Sequence, residues 1–355
     1  MKKVMLSILC PSYNHEKFVG YFINSLLRQT NPNWELVIVD DCSTDNNVAE
    51  IKKFSDKRIK LVQNNFNKGV NCGLNAAFSA SSGKYVSFCA SDDMLTEDYV
   101  ENVLNTFAEN PDKSLIYSNL QLIDNKNKFL NQTWYNHNGD RYDALYTMFM
   151  QRNCMLSPGM AITRELLSQI MPLDIPLSQY QDYKMHVDLL LKSDFIIMDK
   201  MCVLYRKNDS QSGLSASNTT TEHAKHLETN LLMNSFLKIQ DVNLLKNIFK
   251  DNLNQFNKIS SDTIPFVLGQ LALQSDDMYK KVWGYNQIVR FINSMENYAL
   301  VNKLYGFSYK NFLGLSGQFC KSTTEIKYYK YKKLFNVSCF IILVLLFALF
   351  GVLFI

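Results

Sequence analysis

Two pairs of adjacent aspartates are the residues of this chain best placed to do chemistry. Asp40 and Asp41 follow one apolar run, and Asp92 and Asp93 follow another. In the second pair, the two carboxylates repel each other unless a cation or hydrogen-bond donors lie between them. Mg²⁺ or Mn²⁺ would relieve the repulsion, because such an ion binds few protein carboxylates and completes its shell with phosphate oxygens. The sequence therefore predicts a divalent cation that is bound together with a phosphate compound.

Each pair stands at the end of a segment with the pattern of a buried β-strand. Apolar runs at 4–10, 35–39 and 85–89 end at polar residues, and helix-like segments occupy 16–29 and 46–54 between them. Alternating strands and helices predict an α/β fold with a parallel arrangement of strands. Ligands bind such sheets outside the carboxyl ends of the strands, so we expect the polar loops to converge on one face.

Each of these residues also has a purely structural interpretation. Asp40 can cap the helix that follows it, the pair at Asp92 can form a turn, and Tyr13 can fill the core instead of stacking on a base. Taken singly, the structural interpretation is at least as good for every residue. Their convergence on one face favours a functional site.

Length, charge and cysteine content exclude several classes of protein. A chain of 355 residues is long enough for two domains, at about 150 residues each. Its 37 basic and 33 acidic residues give a net charge of +4 without a basic stripe, which argues against a nucleic-acid partner. The eight cysteines form no Cys-x-x-Cys pair, so we expect buried, reduced thiols and neither a zinc site nor a disulfide framework.

The segment 335–355 predicts a membrane anchor. It contains no charged residue, and a helix of that length spans about 31 Å, the thickness of the hydrocarbon core of a bilayer. A core helix is the weaker alternative, because the segment is apolar on all faces. The lysines and tyrosines between 327 and 333 suit the cytoplasmic headgroup region. We therefore expect a single-pass membrane protein whose catalytic body faces the cytoplasm.

The pattern along the chain predicts four segments. Residues 1–215 form the α/β domain, 216–320 an α-helical extension, 321–334 a basic juxtamembrane segment, and 335–355 the transmembrane helix. The extension packs, binds an acceptor or bridges to the membrane, and packing is the simplest of the three roles.

An ordered set of motifs resembles the family 2 glycosyltransferases of GT-A fold. The set covers roughly residues 4–210 and runs Pro11-Ser12-Tyr13-Asn14, Ser25-Leu26-Leu27-Arg28-Gln29-Thr30, Glu35 to Asp45, Asn67-Lys68-Gly69, Gly83-Lys84-Tyr85-Val86 and Ser91-Asp92-Asp93. The resemblance implies a Rossmann-like mixed sheet flanked by helices. It also implies transfer of a sugar from a nucleotide-diphosphate donor, with a UDP-sugar expected, to an acceptor hydroxyl with inversion at the anomeric carbon.

The resemblance also assigns roles to individual residues. Those that would contact the donor are Pro11, Tyr13, Asp40, Asn67, Lys68, Asp92 and Arg206. Within this set Tyr13 would help to hold the nucleobase, and Asp40 would accept a hydrogen bond from uracil. Asp93 would bind the metal, Asp182 would be the general base, and Ser157–Ile162 resembles the stretch that lines the acceptor side.

Four positions depart from the family pattern. Ala90 stands where an acid often opens the acidic motif, and Leu74 stands where an arginine often precedes the asparagine. Gln181 replaces the glutamate before the base, and the region of Asn208 lacks the histidine often seen after Tyr-Arg. These departures concern the donor contacts and the sugar preference, while the metal position and the fold are unaffected.

Other functions fit parts of the sequence less well. A Rossmann oxidoreductase would need a GxGxxG motif after the first strand, and a membrane-anchored nucleotidyltransferase would need a Gly-rich basic loop there. Residues 11–14, which follow the first strand, match neither requirement. A nucleotide-sugar-binding module without catalysis would not need both Asp93 and Asp182. Processive synthases typically show a Gln-x-x-Arg-Trp motif and several membrane spans, so we expect non-processive transfer. A membrane-anchored enzyme would meet a lipid-linked or glycan acceptor, such as a surface-polysaccharide intermediate.

Overall fold

The computed structural model describes residues 5–207 and 219–319, together with residues 331, 332, 334 and 335. The chain divides into two compact units, one within residues 1–288 and one within 289–355. Within the described ranges no helix combines the length and the apolar composition that a membrane span requires. Almost all of the expected juxtamembrane segment and transmembrane helix lies outside the described residues, and the expected domain boundaries stay predictions.

The described strands form two sheets. Their bounds are β1 (Leu6–Ser12), β2 (Trp34–Asp40), β3 (Ile59–Gln63), β4 (Tyr85–Phe88), β5 (Met94–Leu95), β6 (Leu115–Tyr117), β7 (Leu120–Ile123), β8 (Phe129–Trp134), β9 (Ala161–Thr163), β10 (Ile196–Ile197) and β11 (Val203–Arg206). The larger sheet has the order β10-β6-β9-β4-β1-β2-β3, and the smaller has the order β5-β11-β7-β8. In the larger sheet β9 runs antiparallel to β4 and β6, while the other pairings are parallel, so the sheet is mixed.

Helices pack around the sheets and then continue as a helical region. Their bounds are α1 (Val19–Leu27), α2 (Asn47–Ile51), α3 (Val70–Ala80), α4 (Tyr99–Glu109), α5 (Arg141–Met150), α6 (Arg164–Ser168), α7 (Gln181–Leu190), α8 (Thr219–Asn234), α9 (Val242–Phe249), α10 (Ile264–Ala272), α11 (Met278–Ile292), α12 (Met295–Tyr305) and α13 (Tyr309–Gly314). Short 3₁₀ segments occupy Ser235–Lys238, Lys250–Leu253, Ser261–Thr263 and Leu315–Phe319.

The three apolar runs of the sequence are the central strands β1, β2 and β4. Every residue of β2 and β4 is buried, because neighbouring strands and helices cover both faces of the sheet. The helices beside them are shorter than the sequence predicts. The helix expected at 16–29 begins only at Val19, since the Glu16 N–H donates to Asp45 at 2.9 Å and the Glu16 carboxylate accepts the Asn46 N–H.

The part of the helical region that belongs to the first unit, residues 219–288, packs against the α/β domain through aromatic rings. Phe149 of α5 makes edge-to-face contacts with Phe236, Phe249 and Trp283, at centroid distances of 4.9, 4.8 and 6.2 Å. All four rings are almost fully buried. Packing, the simplest of the three roles expected for this region, is therefore observed.

The described cysteines carry free thiols, as the sequence predicts. Cys10, Cys89 and Cys202 are buried, and Cys42, Cys72 and Cys154 are half-buried. Cys320 and Cys339 lie outside the described residues.

Candidate active site

Hydrogen bonds join the loops that follow β1 and β2. Asn14, which has a φ of +55°, donates its N–H to Ser43 Oγ at 2.9 Å and accepts the Thr44 N–H at 2.8 Å. Tyr13 stands beside this junction with 42% of its surface exposed, and Pro11, the last residue but one of β1, is half-buried. The loops thus converge as predicted, and Tyr13 is an exposed ring and not core filler.

The first aspartate pair holds these loops in place. Asp40 is buried, and its carboxylate accepts the Ser43 N–H at 3.0 Å and the Asn47 side-chain amide at 2.7 Å. Asp41 accepts the N–H groups of Lys68 at 2.9 Å and Gly69 at 2.8 Å. Asp40 therefore binds the loop and the Asn47 side chain, and it does not cap α2, whose N-cap residue is Asn46. A uracil contact would use a remaining lone pair of its carboxylate.

The loop at Asn67 and Lys68 is thereby fixed next to the first aspartate pair. Asn67 is exposed, and its side chain accepts the Gly69 N–H at 3.2 Å. The Lys68 ammonium lies 5.1 Å from the centre of the Phe66 ring, at a half-buried position. Both side chains are accessible to a ligand at the carboxyl edge of the sheet.

The second aspartate pair forms a turn after β4. Asp93 is 2% exposed, and its Oδ1 accepts the Arg206 backbone N–H at 2.8 Å. Its Oδ2 is buried and has no hydrogen-bond partner among the described residues. Burial is the main cause that raises the pKa of Asp93 well above its usual range, and the charge of Asp92 raises it further. The hydrogen bond from the Arg206 N–H acts in the opposite direction. An ionised Asp93 therefore needs a further positive partner.

Arg206 clamps this turn from within the protein. Its buried guanidinium donates to the backbone oxygens of Asp92 and Asp124 and to the Asn127 side chain, each at 2.7 Å. Three of its five N–H groups are thus engaged by protein acceptors. The predicted donor contact would have to use the remaining N–H groups, while the three bonds to the protein hold the aspartates in position.

His15 connects the Tyr13 loop to the aspartate turn. Its Nδ1 lies 2.7 Å from Ser91 Oγ, and its Nε2 lies 4.0 Å from Asp92 Oδ2. The predicted donor-side residues therefore belong to one bonded set of loops. Sequence reasoning did not single out His15, although it lies directly after the motif at 11–14.

The residues of the turn fit a divalent cation only in part. The unpartnered Asp93 oxygen is a hard ligand of the type that Mg²⁺ and Mn²⁺ prefer. However, no cluster of three or more His, Cys, Asp or Glu side chains suited to a metal occurs in the described residues. A cation at Asp93 would therefore need oxygen ligands from a bound diphosphate or from water.

Asp182 lies in the first turn of α7, as predicted. It is half-buried, and its Oδ1 accepts the Tyr183 N–H at 2.7 Å. Burial raises the pKa of Asp182 to about 6, while hydrogen bonds from the Tyr183 backbone and the Ser157 hydroxyl act in the opposite direction. At neutral pH the carboxylate is ionised and more basic than an ordinary aspartate, which suits a general base.

Contacts distant in sequence set the position of Asp182. Asn71 and Asn75 of α3 donate to the backbone oxygens of Asp174 and Leu173 at 2.6 and 2.9 Å, which ties the segment before α7 to the helix after the Lys68 loop. Glu228 of α8 accepts three consecutive backbone N–H groups at 178–180. Sequence reasoning missed Glu228, because nothing in the local pattern indicates a partner about 50 residues away.

A polar cavity of about 190 Å³ lies between α3 and α7. Asn71, Gln181, Lys184, Asp188 and Lys238 are among the residues that line it. The side-chain oxygens Asn71 Oδ1 and Gln181 Oε1 are buried without a hydrogen-bond partner in the described part of the chain. The cavity therefore offers acceptors to a ligand that carries hydroxyl or N–H donors.

Comparison with known proteins agrees with this architecture. Residues 7–170 match the family described as Glycosyl transferase family 2. The chain is 29% identical over 221 residues to the Escherichia coli UDP-Glc:alpha-D-GlcNAc-diphosphoundecaprenol beta-1,3-glucosyltransferase WfgD, covering 61% of this chain and 82% of WfgD. It is 36% identical over 109 residues to the putative teichuronic acid biosynthesis glycosyltransferase TuaG of Bacillus subtilis, covering 30% of this chain and 43% of TuaG.

Among solved structures, the chain resembles S. aureus TarS 1-349. The TarS complex with UDP gives a TM-score of 0.56 at 16% identity and covers 84% of this chain and 90% of TarS 1-349. The complex with UDP-GlcNAc gives a TM-score of 0.54 at 17% identity and covers 80% and 89%. At this identity the likeness bears on the fold alone, and it confirms a GT-A-like mixed α/β fold with a helical C-terminal region.

Proposed function

Because this chain is a family 2 glycosyltransferase, we propose that it transfers one sugar from a nucleotide-diphosphate donor to an acceptor hydroxyl, with inversion at the anomeric carbon. The observation that carries the proposal is the buried Asp93 Oδ2, which lacks a protein partner and lies at the edge where the loops converge. A carboxylate in this position would be destabilising unless a ligand supplied positive charge. A metal-bound diphosphate would do so.

The donor side of the site would hold the nucleotide. Tyr13 offers an exposed ring for the base, and Asp40 would accept the N3–H of a uracil through a free lone pair. Lys68 and Asn67 would face the phosphates. We propose UDP as the nucleotide, and the similarity to WfgD, which is named as a transferase that uses UDP-Glc, supports this choice.

Asp93 would hold Mg²⁺ or Mn²⁺, with Asp92 beside it. When bound, the ion would neutralise the negative charge that develops on the leaving diphosphate. Arg206 contributes by fixing the turn through the Asp93 Oδ1 and the Asp92 backbone oxygen.

Asp182 would act as the general base. As the acceptor hydroxyl attacks the anomeric carbon, its proton passes to the Asp182 carboxylate, and the bond to the diphosphate breaks. One such displacement inverts the configuration, and no covalent enzyme intermediate is needed. The raised pKa of Asp182, about 6, favours proton uptake while leaving the group ionised at pH 7.

The cavity between α3 and α7 favours a neutral sugar. It lies between the helix that follows the Lys68 loop and the helix that carries Asp182. Lys184 pairs with Asp174 and Asp188, and Lys238 pairs with Asp188, so the charges are balanced. The unpartnered oxygens of Asn71 and Gln181 would accept hydroxyl or acetamido donors, whereas a uronic acid would bring an unmatched carboxylate.

We further propose a lipid-linked or glycan acceptor and attachment to the cytoplasmic side of a membrane through residues 335–355. The similarity to WfgD, whose acceptor carries a diphosphoundecaprenol, supports this choice of acceptor. The apolar composition of 335–355 and the lysines before it support the anchor.

A donor screen tests the proposed function. Nucleotide release is measured for UDP-, GDP- and dTDP-sugars, including UDP-glucose, UDP-GlcNAc and UDP-glucuronic acid, with membrane lipid extract as acceptor. We expect release from a neutral UDP-sugar that depends on the extract. Absence of release from every nucleotide sugar, with extract and Mn²⁺ present, would contradict the proposal.

A further inference from the structure

A line of hydrogen bonds leads through the protein interior to Asp182. The hydroxyl of Tyr117, at the end of β6, lies 2.9 Å from Nδ1 of His186. Nε2 of the same ring lies 3.0 Å from Ser157 Oγ. The Ser157 hydroxyl also interacts with the Asp182 carboxylate and lowers its pKa. Tyr117 and His186 have no exposed surface, so water cannot replace the bond between them.

The ionised state of Asp182 fixes the direction of every bond in this line. A carboxylate only accepts, so the Ser157 hydroxyl must donate its single hydrogen to Asp182. Ser157 then accepts from His186, which places the ring hydrogen on Nε2. Burial lowers the pKa of His186 to about 3, so the ring is neutral and its Nδ1 accepts from Tyr117. All three hydrogens point toward Asp182.

The turn that carries Ser157 is rigid. Gly159 adopts a φ of +73°, and a Cβ at this position would lie 2.2 Å from Val203 Cγ2. The Gly159 N–H donates to the Phe88 backbone oxygen at 2.8 Å, which ties the turn to β4. The backbone near Ser157 is therefore held against β4, so the Ser157 hydroxyl can change position only by rotation of its own side chain.

We propose that Tyr117, His186 and Ser157 form a positioning chain that orients the Asp182 carboxylate toward the acceptor hydroxyl and stabilises its ionised form. The proposal rests on the role of Asp182 as the base. Together with the Tyr183 N–H, the Ser157 hydroxyl would restrict rotation of the carboxylate and leave its remaining lone pairs for the acceptor hydroxyl. Aligned donors strengthen one another in a buried environment, so the distant Tyr117 contributes through His186.

Two titratable groups near the chain are uncharged at neutral pH, whereas Lys280, whose Nζ lies 3.3 Å from the Tyr183 hydroxyl, is charged, with a pKa that burial lowers to about 8. Cys154 interacts electrostatically with both Tyr117 and Tyr183. Burial raises the pKa of Cys154 to about 11 and that of Tyr183 above its usual range. Asp182, with a pKa of about 6, is therefore the group expected to titrate on the acid side of pH 7, and the acid side of a pH profile of turnover reports its ionisation.

Variants of the full chain test the proposal through the pH profile of nucleotide release, with the donor identified in the screen and lipid extract as acceptor. Ser157→Ala removes the donor that stabilises the ionised carboxylate. We therefore expect the acid limb of the pH profile, where kcat falls with decreasing pH, to shift to a higher pH by about 0.5–1 unit, and the maximal kcat to fall about 10-fold. His186→Phe should act similarly. His186→Gln retains an N–H toward Ser157 and should recover most of the turnover, while Tyr117→Phe should have a smaller effect.

Ser168→Ala, at an exposed hydroxyl, serves as the control and should leave the profile unchanged. A purely structural role for His186 would lower the melting temperature without moving the acid limb. An unmoved limb in Ser157→Ala, with Asp182→Asn inactive, would overturn the positioning chain alone. Normal turnover in Asp182→Asn would instead overturn the assignment of the base.

The histidine tautomer gives a readout that needs no substrate. In ¹⁵N-histidine NMR spectra of the full chain in detergent, the signal lost in His186→Gln should be that of a neutral ring protonated at Nε2 between pH 5 and 8. A ring protonated at Nδ1, or a charged imidazolium, would contradict the direction of the chain.

Discussion

Oε2 of Glu228 accepts the backbone N–H of Tyr180 at 2.7 Å. The same carboxylate accepts the N–H groups of Ser178 at 2.8 Å and Gln179 at 2.9 Å, and it is almost fully buried. Glu228 belongs to the helical region, and Tyr180 directly precedes the helix that carries Asp182. The helical region therefore supports the candidate base as well as packing on the domain.

Substitution of Glu228 should weaken both stability and turnover. Glu228→Gln removes a charge from hydrogen bonds to three backbone groups, and bonds to a charged group contribute about 1.5–3 kcal/mol. We expect the free energy of unfolding in urea to fall by about 2 kcal/mol and kcat to fall about 10-fold, because the start of α7 loosens.

Glu222→Gln on the same helix is the matched control. Glu222 pairs with Lys225 at 2.7 Å with both side chains partly exposed to solvent, and pairs accessible to solvent contribute about 0–1 kcal/mol. Equal effects of the two variants would show that the helical region does not act through the loop at 178–180.

The contrast between Glu228 and Asp93 shows what the sequence can predict. Asp93 follows an apolar strand, so local pattern and strand order were enough to place it at the edge of the sheet. Glu228 and Arg206 act on loops 48–50 and 79–114 residues away, and such long-range partners leave no local signal. For Arg206, the resemblance implies a donor contact, which stays a prediction, and the structure adds the hydrogen bonds that hold the aspartate turn.

Helix ends were the other feature that the sequence could not predict. Periodicity identifies an amphipathic segment, but the reciprocal bonds between Glu16 and residues 45 and 46 decide where α1 can begin. Those bonds depend on the approach of two loops that are distant in sequence.

Metal binding should be measurable without turnover. Because Asp93 Oδ2 is buried without a protein partner, Mn²⁺ with UDP should raise the melting temperature of the wild-type chain by several degrees. Asp93→Asn should abolish this rise. The variant without ligand should be at least as stable as the wild type, because it lacks a buried carboxylate whose pKa is raised.

EDTA provides the corresponding activity control. Nucleotide release should vanish in EDTA and return with Mn²⁺ or Mg²⁺. Full turnover in EDTA, or an undiminished thermal shift in Asp93→Asn, would exclude a metal at this residue.

The pH dependence of turnover should follow Asp182. Its pKa of about 6 predicts that kcat rises as pH increases through 6, since only the ionised carboxylate accepts a proton. The measurement is nucleotide release between pH 4.5 and 8 at saturating donor. A plateau extending down to pH 4.5 would mean that the base has an ordinary carboxyl pKa, or lies elsewhere.

Deletion of 335–355 tests the proposed anchor. The deletion removes no residue of the candidate site, so the protein should remain folded and release nucleotide from its donor. Its rate on membrane-borne acceptor should fall, because the anchor raises the effective concentration of acceptor. Fractionation in low and high salt separates the anchor from the lysines before it, whose attraction to anionic lipid is screened by salt. Equal activity of both forms on membrane-borne acceptor would argue against a lipid-linked substrate.

Asp182→Asn is the most direct test of the proposed mechanism. The variant keeps the shape of the side chain but cannot accept the proton of the acceptor hydroxyl. The account predicts that kcat falls by about 10²-fold or more, while donor affinity and stability at pH 7 are maintained. Asp112→Asn, at an exposed carboxylate, should match the wild type. Normal turnover in Asp182→Asn, or a loss confined to donor affinity, would contradict the account.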